Sequence, residues 1–240
     1  MQVVDIWRYP VKSLGGEQLR SAEVGPDGIV GDRSWGLRDR STGLVLTARR
    51  EPALLFLSAQ YRPDDRPHIT DEHGDELADD QALSERLGRP VELVAADEGP
   101  GTFENPMNVD DETDWIQWQS AGRTFHDGRS TISLVATGAL GEWDRRRFRA
   151  NVVVDTTSDD DLLGVELVGS TLVTIRKPID RCVMVSRAQP GIERDLRVLK
   201  QIIAERGNRL AVGATITAPG SIAIGDPVTG GRVPGGSVTA

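Results

Sequence analysis

Four segments hold the residues able to do chemistry. Cys182, the only cysteine in the chain, sits in Lys177-Pro178-Ile179-Asp180-Arg181-Cys182-Val183-Met184. A lone thiol is ordinarily a small buried hydrophobe. Here Lys177 and Arg181 are close in sequence, and nearby cations favour the thiolate, the form that binds metals and takes up sulfur. The run Arg145-Arg146-Arg147-Phe148-Arg149-Ala150-Asn151 places four arginines in five positions of an acidic chain. A helix C-terminus would use part of such a cluster as capping charge. Arg149 and Asn151 share parity, so an extended backbone would turn a guanidinium and an amide to one face.

The other two segments lie near the N-terminus. Tyr9-Pro10-Val11-Lys12-Ser13-Leu14 follows a strand-like stretch and offers an ammonium and a hydroxyl, which together suit a phosphate or another anion. Taken alone, a Lys-Ser pair is most often a surface turn. Gly28-Ile29-Val30-Gly31-Asp32-Arg33-Ser34-Trp35 pairs tight glycine geometry with a guanidinium that Asp32 can orient. Its glycine spacing is wrong for a dinucleotide-binding fingerprint, and no helix opens after it.

The elements that must position these groups are mostly strands. Gln2 to Trp7 alternates, Leu19 to Val24 reads as a second strand, and Pro26-Asp27-Gly28 is a strong turn. Ser34 to Arg38 and Leu44 to Ala48 form a hairpin about Ser41-Thr42-Gly43, and Leu54 to Tyr61 is a further apolar run. Such short strands at close intervals suggest a barrel-like sheet. Gln81 to Leu87 is a short helix ended by Gly88, and Val91 to Ala95 resumes a strand. Asp97 to Asn108, rich in Pro, Gly, Asn and acids, reads as the boundary between a domain over 1–96 and one over 97–230, with a flexible tail over 231–240. In the second half, a helix is expected over Thr137 to Arg146, and strands over Val152 to Asp155, Glu166 to Val168 and Leu172 to Ile175. Glu193 to Arg206 has helical spacing of Leu196, Leu199, Ile202 and Ile203. Two strands, Ala211 to Thr217 and Ser221 to Val228, close the chain around Pro219-Gly220. The fold class is α+β, predominantly β.

Bulk properties narrow the function classes. The 240 residues carry a formal charge of −9, which disfavours nucleic acids and anionic membranes as partners. No apolar run approaches the roughly 20 residues of a membrane span, and the N-terminus lacks a basic start and long apolar core, so the cytoplasm is the default compartment. The acidic groups Asp64-Asp65, Asp79-Asp80, Asp110-Asp111-Glu112 and Asp159-Asp160-Asp161 lack calcium-loop spacing and read as solvated loops. One cysteine excludes an intrachain disulfide and a four-cysteine iron–sulfur cluster. His68, His73 and His126 show no zinc-site spacing and read mostly as surface or turn residues.

In this order the four segments resemble the MOSC family, the domains similar to the C-terminus of molybdenum cofactor sulfurase. The N-terminal likeness, to the companion β-barrel domain, rests on Tyr9-Pro10-Val11-Lys12-Ser13, Gly31-Asp32-Arg33, Leu46-Thr47-Ala48-Arg49 and Pro52 with Leu54. The C-terminal likeness rests on Phe148-Arg149-Ala150-Asn151-Val152-Val153-Val154, Arg181-Cys182 and Ile222-Ala223-Ile224-Gly225-Asp226-Pro227-Val228. The resemblance implies a MOSC-type β-barrel with a β-rich N-terminal subdomain and a few peripheral helices. It also implies a molybdopterin ligand, with Cys182 coordinating molybdenum or carrying sulfur. By the same resemblance Lys12, Ser13 and Arg33 would hold the pterin or its phosphate, and Thr47, Arg49, Arg149, Asn151 and Arg181 would line the pocket. Asp127 stands where the family often has an acidic residue between its halves, which makes it a catalytic candidate. The family commonly reads Arg-Pro-Asn where this chain has Arg149-Ala150-Asn151, which removes a backbone constraint and keeps both polar groups.

The function implied is a molybdenum-dependent oxidoreductase like the mitochondrial amidoxime-reducing component. It would reduce N-hydroxylated or related small molecules with electrons from a separate electron-transfer protein, since one cysteine leaves no room for a relay of its own. The alternative is a cofactor carrier or sulfur-transfer protein with a persulfide on Cys182.

Overall fold

The computed structural model describes residues 1–63, 65–108, 111–120 and 123–230; Asp64 and Asp110 of the acidic groups, and the tail over 231–240, lie outside the described residues. The chain is mostly β. An eight-stranded sheet runs in the order Val228–Thr229, Leu167–Val168, Thr171–Asp180, Arg209–Ala218, Ile132–Ala136, Val152–Val154, Val3–Arg8, Glu17–Leu19. All pairings are antiparallel except Ile132–Ala136 against Val152–Val154, which is parallel. Val152, Val153 and Val154 are all buried. That explains their continuous apolar run, since a strand covered on both faces has no polar side to alternate.

Two larger cores flank the functional segments. One joins Val3, Ile6, Ala22, Val24 and Ile29 to residues of the second half such as Leu134, Val152, Val212 and Ile222. The first strands of the chain thus pack with its last ones. The Gly220–Ala223 strand likewise pairs with Ser21–Gly25. The other core, with Val11, Leu14, Leu37, Leu54, Leu57, Ile69, Leu83 and Val91, is built within the first half. Two helices have self-evident ends. Asp79 accepts from Ala82 N to open Asp80–Leu87, and Gly88 (φ 65°) closes it; Asp195 accepts from Arg197 N to open Leu196–Arg206, and Gly207 (φ 56°) closes it. No helix among the described residues is long and apolar enough to cross a membrane.

Three expectations are corrected. The helix over Thr137 to Arg146 is only Thr137–Leu140, because Gly141 (φ 55°) ends it and the Asp144 carboxylate opens a separate 3-10 turn over Arg145–Arg147. The run from Leu54 begins as a 3-10 turn, Pro52–Phe56, with proline pre-set in its first positions, so the strand there is only Ser58–Gln60. The stretch expected as the domain boundary carries the strand Thr102–Asn108, which pairs with Asp111–Gln119. The expected strand over Ser221 to Val228 is broken at Gly225 (φ 92°): Gly220–Ala223 belongs to a three-stranded sheet and Val228–Thr229 to the edge of the large one.

Candidate functional site

A cleft of about 480 Å³ is lined from both halves of the chain, by Lys12, Ser13, Arg33, Arg49, His126 and Asp127 on one side and Arg147, Arg149, Asn151, Arg181, Cys182 and Met184 on the other. Every predicted site residue except Thr47 faces it. Thr47 is buried nearby, where its carbonyl accepts from Arg50 N and Glu51 N. Eight cations line the cleft (Lys12, Arg33, Arg49, Arg129, Arg147, Arg149, Lys177, Arg181) against two acids, Asp127 and Asp180. In a chain with a charge of −9, the local field is therefore opposite to the global one.

Backbone strain concentrates here. Ser13 (φ 69°), Arg33 (φ 50°) and Arg149 (φ 52°) are three of five non-glycine residues with positive φ among the described ones. Each such residue costs on the order of 1–3 kcal/mol and persists where surrounding structure imposes it. Arg149 reaches the cleft through this conformation, not through the extended parity read from the sequence. Its Nη1 donates to Leu14 O, its guanidinium lies 4.2 Å from the Tyr9 ring, and its Nη2 has no hydrogen-bond partner. Arg33 is oriented by Asp32, as its neighbourhood suggested, and its Nη2 donates to Arg149 O at 3.1 Å. Asn151 is 1% exposed. Its Oδ1 accepts from Ser133 N and Oγ and its Nδ2 donates to Trp7 O. That leaves one amide hydrogen uncommitted, so this side chain mainly ties strands together.

Arg181 is buried, its Nε and Nη1 donating to Leu210 O (2.8 Å) and Phe148 O (3.0 Å), while its Nη2 is unpartnered. Burial lowers Arg181 to about 10, opposed by Cys182, and lowers Arg149 to about 10, assisted by Arg33. Neither has a carboxylate partner among the described residues. The cation reading around the thiol changes accordingly. Lys177 is 70% exposed and pairs with Asp180 at 3.8 Å, whereas Arg49, remote in sequence, hydrogen-bonds the Cys182 side chain and Asp127.

Asp127 sits at the cleft mouth between Lys12 and Arg49 (2.8 Å to Arg49), with its side chain 46% exposed. Burial alone would raise its carboxyl, but Arg49 and Lys12 outweigh that and hold it well below the usual carboxylate range. His126, read as a surface or turn residue, is instead mostly enclosed, its side chain 11% exposed. Burial and then the Arg33 charge push it down to about 3, so the ring is neutral, and its Nε2 stands 3.6 Å from Asp32 Oδ2 with no hydrogen bond. Its neighbour Phe125 donates its backbone N–H to Arg33 O at 2.8 Å, a contact between distant segments that no local pattern signals.

Lys12 donates to Phe125 O at 2.9 Å and to Asp127, and stands 4.1 Å above the Phe103 ring. Burial lowers it to about 8, against the pull of Asp127. It is charged below that value and neutral above it. Affinity for sulfate, whose charge is constant in this range, is expected to fall as pH rises through about 8. The fall should reach about tenfold, the worth of one charge-assisted contact. Stability responds in the opposite sense: an exposed lysine titrates near ~10.4, so between these two values the unfolded chain holds more protons and folding gains with rising pH. Calorimetric titration of Lys12→Met with sulfate should show no such fall; a pH profile that survives the substitution assigns the titration to another group.

Family comparison matches residues 1–116 to the MOSC N-terminal beta barrel domain and residues 121–229 to the MOSC domain. A molybdenum cofactor sulfurase from Botryotinia fuckeliana is 26% identical over 123 residues, covering 45% of this chain and 13% of that protein, so this chain spans a small part of that relative's length. The crystal structure of the YUAD protein from Bacillus subtilis aligns over 94% of this chain and 92% of its own, at 11% identity and a TM-score of 0.40.

Proposed function

We propose that this chain, which belongs to the MOSC family and carries both its N-terminal barrel domain and its MOSC domain, holds a molybdenum cofactor in the cleft and uses it to reduce N-hydroxylated or related small molecules. A function associated with the molybdenum cofactor is what the family and the sulfurase relative support. The reductase activity is the finer reading. The observation that carries the proposal is a pair of buried guanidiniums, Arg149 and Arg181, each with an unpartnered Nη2 and neither with a carboxylate, in the same cleft as the only thiol. Buried unpaired cations are costly, and the cost is relieved by an anion seated between them.

The donor set suits such a group. A molybdopterin is planar, rich in heteroatoms and ends in a phosphate, and its metal favours soft sulfur ligands. Arg149 and Arg181 would take the phosphate, with Arg33 behind them. The neutral His126 Nε2 would meet a ring heteroatom, and Cys182 would face the metal. The bound cofactor would supply two-electron chemistry. The chain's own part is to hold that group, to keep Asp127 ionised at the mouth, and to let Lys12 and Arg49 fix the orientation of Asp127. Electrons would come from a separate protein.

Protein made in a cofactor-competent host is expected to contain molybdenum and pterin, and to turn over an N-hydroxylated substrate with an artificial electron donor. Absence of both metal and pterin from folded protein sinks the proposal. The sulfurase relative and the contact of Arg49 with Cys182 also favour a second reading, sulfur transfer. It requires labile sulfane sulfur on Cys182 in protein that holds no metal.

A further inference from the structure

The arginine cluster beside the cleft is divided in its duties, and one of its members has no place in the reading above. Arg145 turns away from the cleft, pairing with Asp5 and lying over Trp7. Arg149 faces the cleft. Arg147 is 8% exposed. Its Nη1 donates to Val185 O (3.1 Å) and Arg187 O (3.2 Å), and its Nη2 to Glu193 O (2.7 Å). Arg146 adds a bond to Pro190 O at 3.1 Å. Four carbonyls of the segment that follows Cys182 are thereby held from one 3-10 turn.

That segment begins at the thiol. Cys182 caps the 3-10 turn Val183–Ser186, and Val185 N donates to Cys182 O. Its far side reaches back to the cleft, because Arg187 Nη2 donates to Arg49 O at 3.2 Å, and Arg49 is the guanidinium beside the Cys182 sulfur. The unpartnered Nη2 of buried Arg181 in the same cleft points independently to a ligand at this place. A guanidinium has the planar fork that can bind several carbonyls at once, and a lysine ammonium does not.

We infer that Arg147 is a positioning residue, a clamp that keeps the 182–193 segment closed so that the Cys182 thiol stays in the cleft against Arg49. The inference rests on Cys182 being the working thiol of the site, and it is independent of which metal or sulfur species that thiol meets. The test uses the metal-free protein, where the single cysteine makes any alkylation by iodoacetamide a report on Cys182 alone. Arg147→Lys keeps the charge and loses the fork. It is expected to raise the alkylation rate about tenfold or more, the opening expected when bonds from a charged donor are lost. Affinity for inorganic phosphate should stay near that of the parent, while the melting temperature falls by a few degrees as the Val185, Arg187 and Glu193 carbonyls lose their donor. Arg145→Gln, in the same turn but directed elsewhere, should leave the rate unchanged.

A parent-like rate in Arg147→Lys, or equal acceleration in Arg145→Gln, overturns the clamp. Should Arg147→Lys fail to fold, Arg187→Gln opens the other end of the same relay and must show the acceleration; a parent-like rate there overturns it as well. Failure of the parent protein to bind phosphate counts against the proposed function instead, and leaves the alkylation result to decide the clamp.

Discussion

Cys182→Ser is expected to abolish turnover and change the sulfur environment of bound molybdenum while the protein still folds. Only one cysteine exists, so no disulfide is lost. The side chain is half-buried at the cleft wall, where it caps a 3-10 turn through its backbone without a side-chain cap bond. Serine is close in size, and an unsatisfied hydroxyl at a partly buried position costs about 1 kcal/mol, or roughly 2–4 °C for a chain of this length. The chemical change is far larger. A serine hydroxyl is much less acidic than a thiol and is a hard donor, so it ligates a soft metal poorly near neutral pH. X-ray absorption at the molybdenum edge compares the two proteins directly. Unchanged sulfur count with full turnover would make the thiol a packing residue.

Arg149→Met should weaken phosphate binding by roughly 10–150-fold, the worth of one charge-assisted hydrogen bond of about 1.5–3 kcal/mol. Thermal stability without ligand should hardly move, because two effects of the change oppose each other. Leu14 O loses its donor, which costs about 1–3 kcal/mol for an unmade buried bond. At the same time a buried cation without a carboxylate is removed, and methionine keeps the apolar stem packed near Tyr9. A surface arginine would show neither feature, since exposed pairs are worth about 0–1 kcal/mol. Calorimetry with inorganic phosphate and a melting curve on the same sample separate the two cases. A variant with parent-like phosphate affinity places Arg149 among the structural arginines with Arg145 and Arg147.

Much of the fold was legible because its signals are local. Alternating and continuous apolar runs marked most strands, and Gly88, Gly207 and the Leu196–Ile203 spacing marked two helices. Misreadings arose where one residue reversed a neighbourhood's preference. Gly141 cut a helix short and Pro52 turned a strand-like run into a 3-10 turn. The last expected strand divides because Gly220–Ala223 pairs with the remote Ser21–Gly25 and Val228–Thr229 with Leu167–Val168.

The sequence by itself determined which residue types were present for the chemistry: one thiol, an arginine-rich turn, a Lys-Ser pair and an Asp-Arg turn, in the order typical of one family. It also determined that Asp32 would orient Arg33, since the two are adjacent. Only the tertiary structure decided who meets whom. Arg49 replaces Lys177 as the cation beside Cys182, His126 is drawn inside to face Asp32 and Arg33, and Arg147, though it lines the cleft, commits its guanidinium to the thiol's own segment. Each of these contacts joins stretches far apart in the chain. Their geometry follows from the sheet order that sets Val3–Arg8 beside Val152–Val154 and from the left-handed backbone at Arg149. Residue spacing encodes neither, because long-range pairing is selected by the burial of a whole core and not by any short window of sequence.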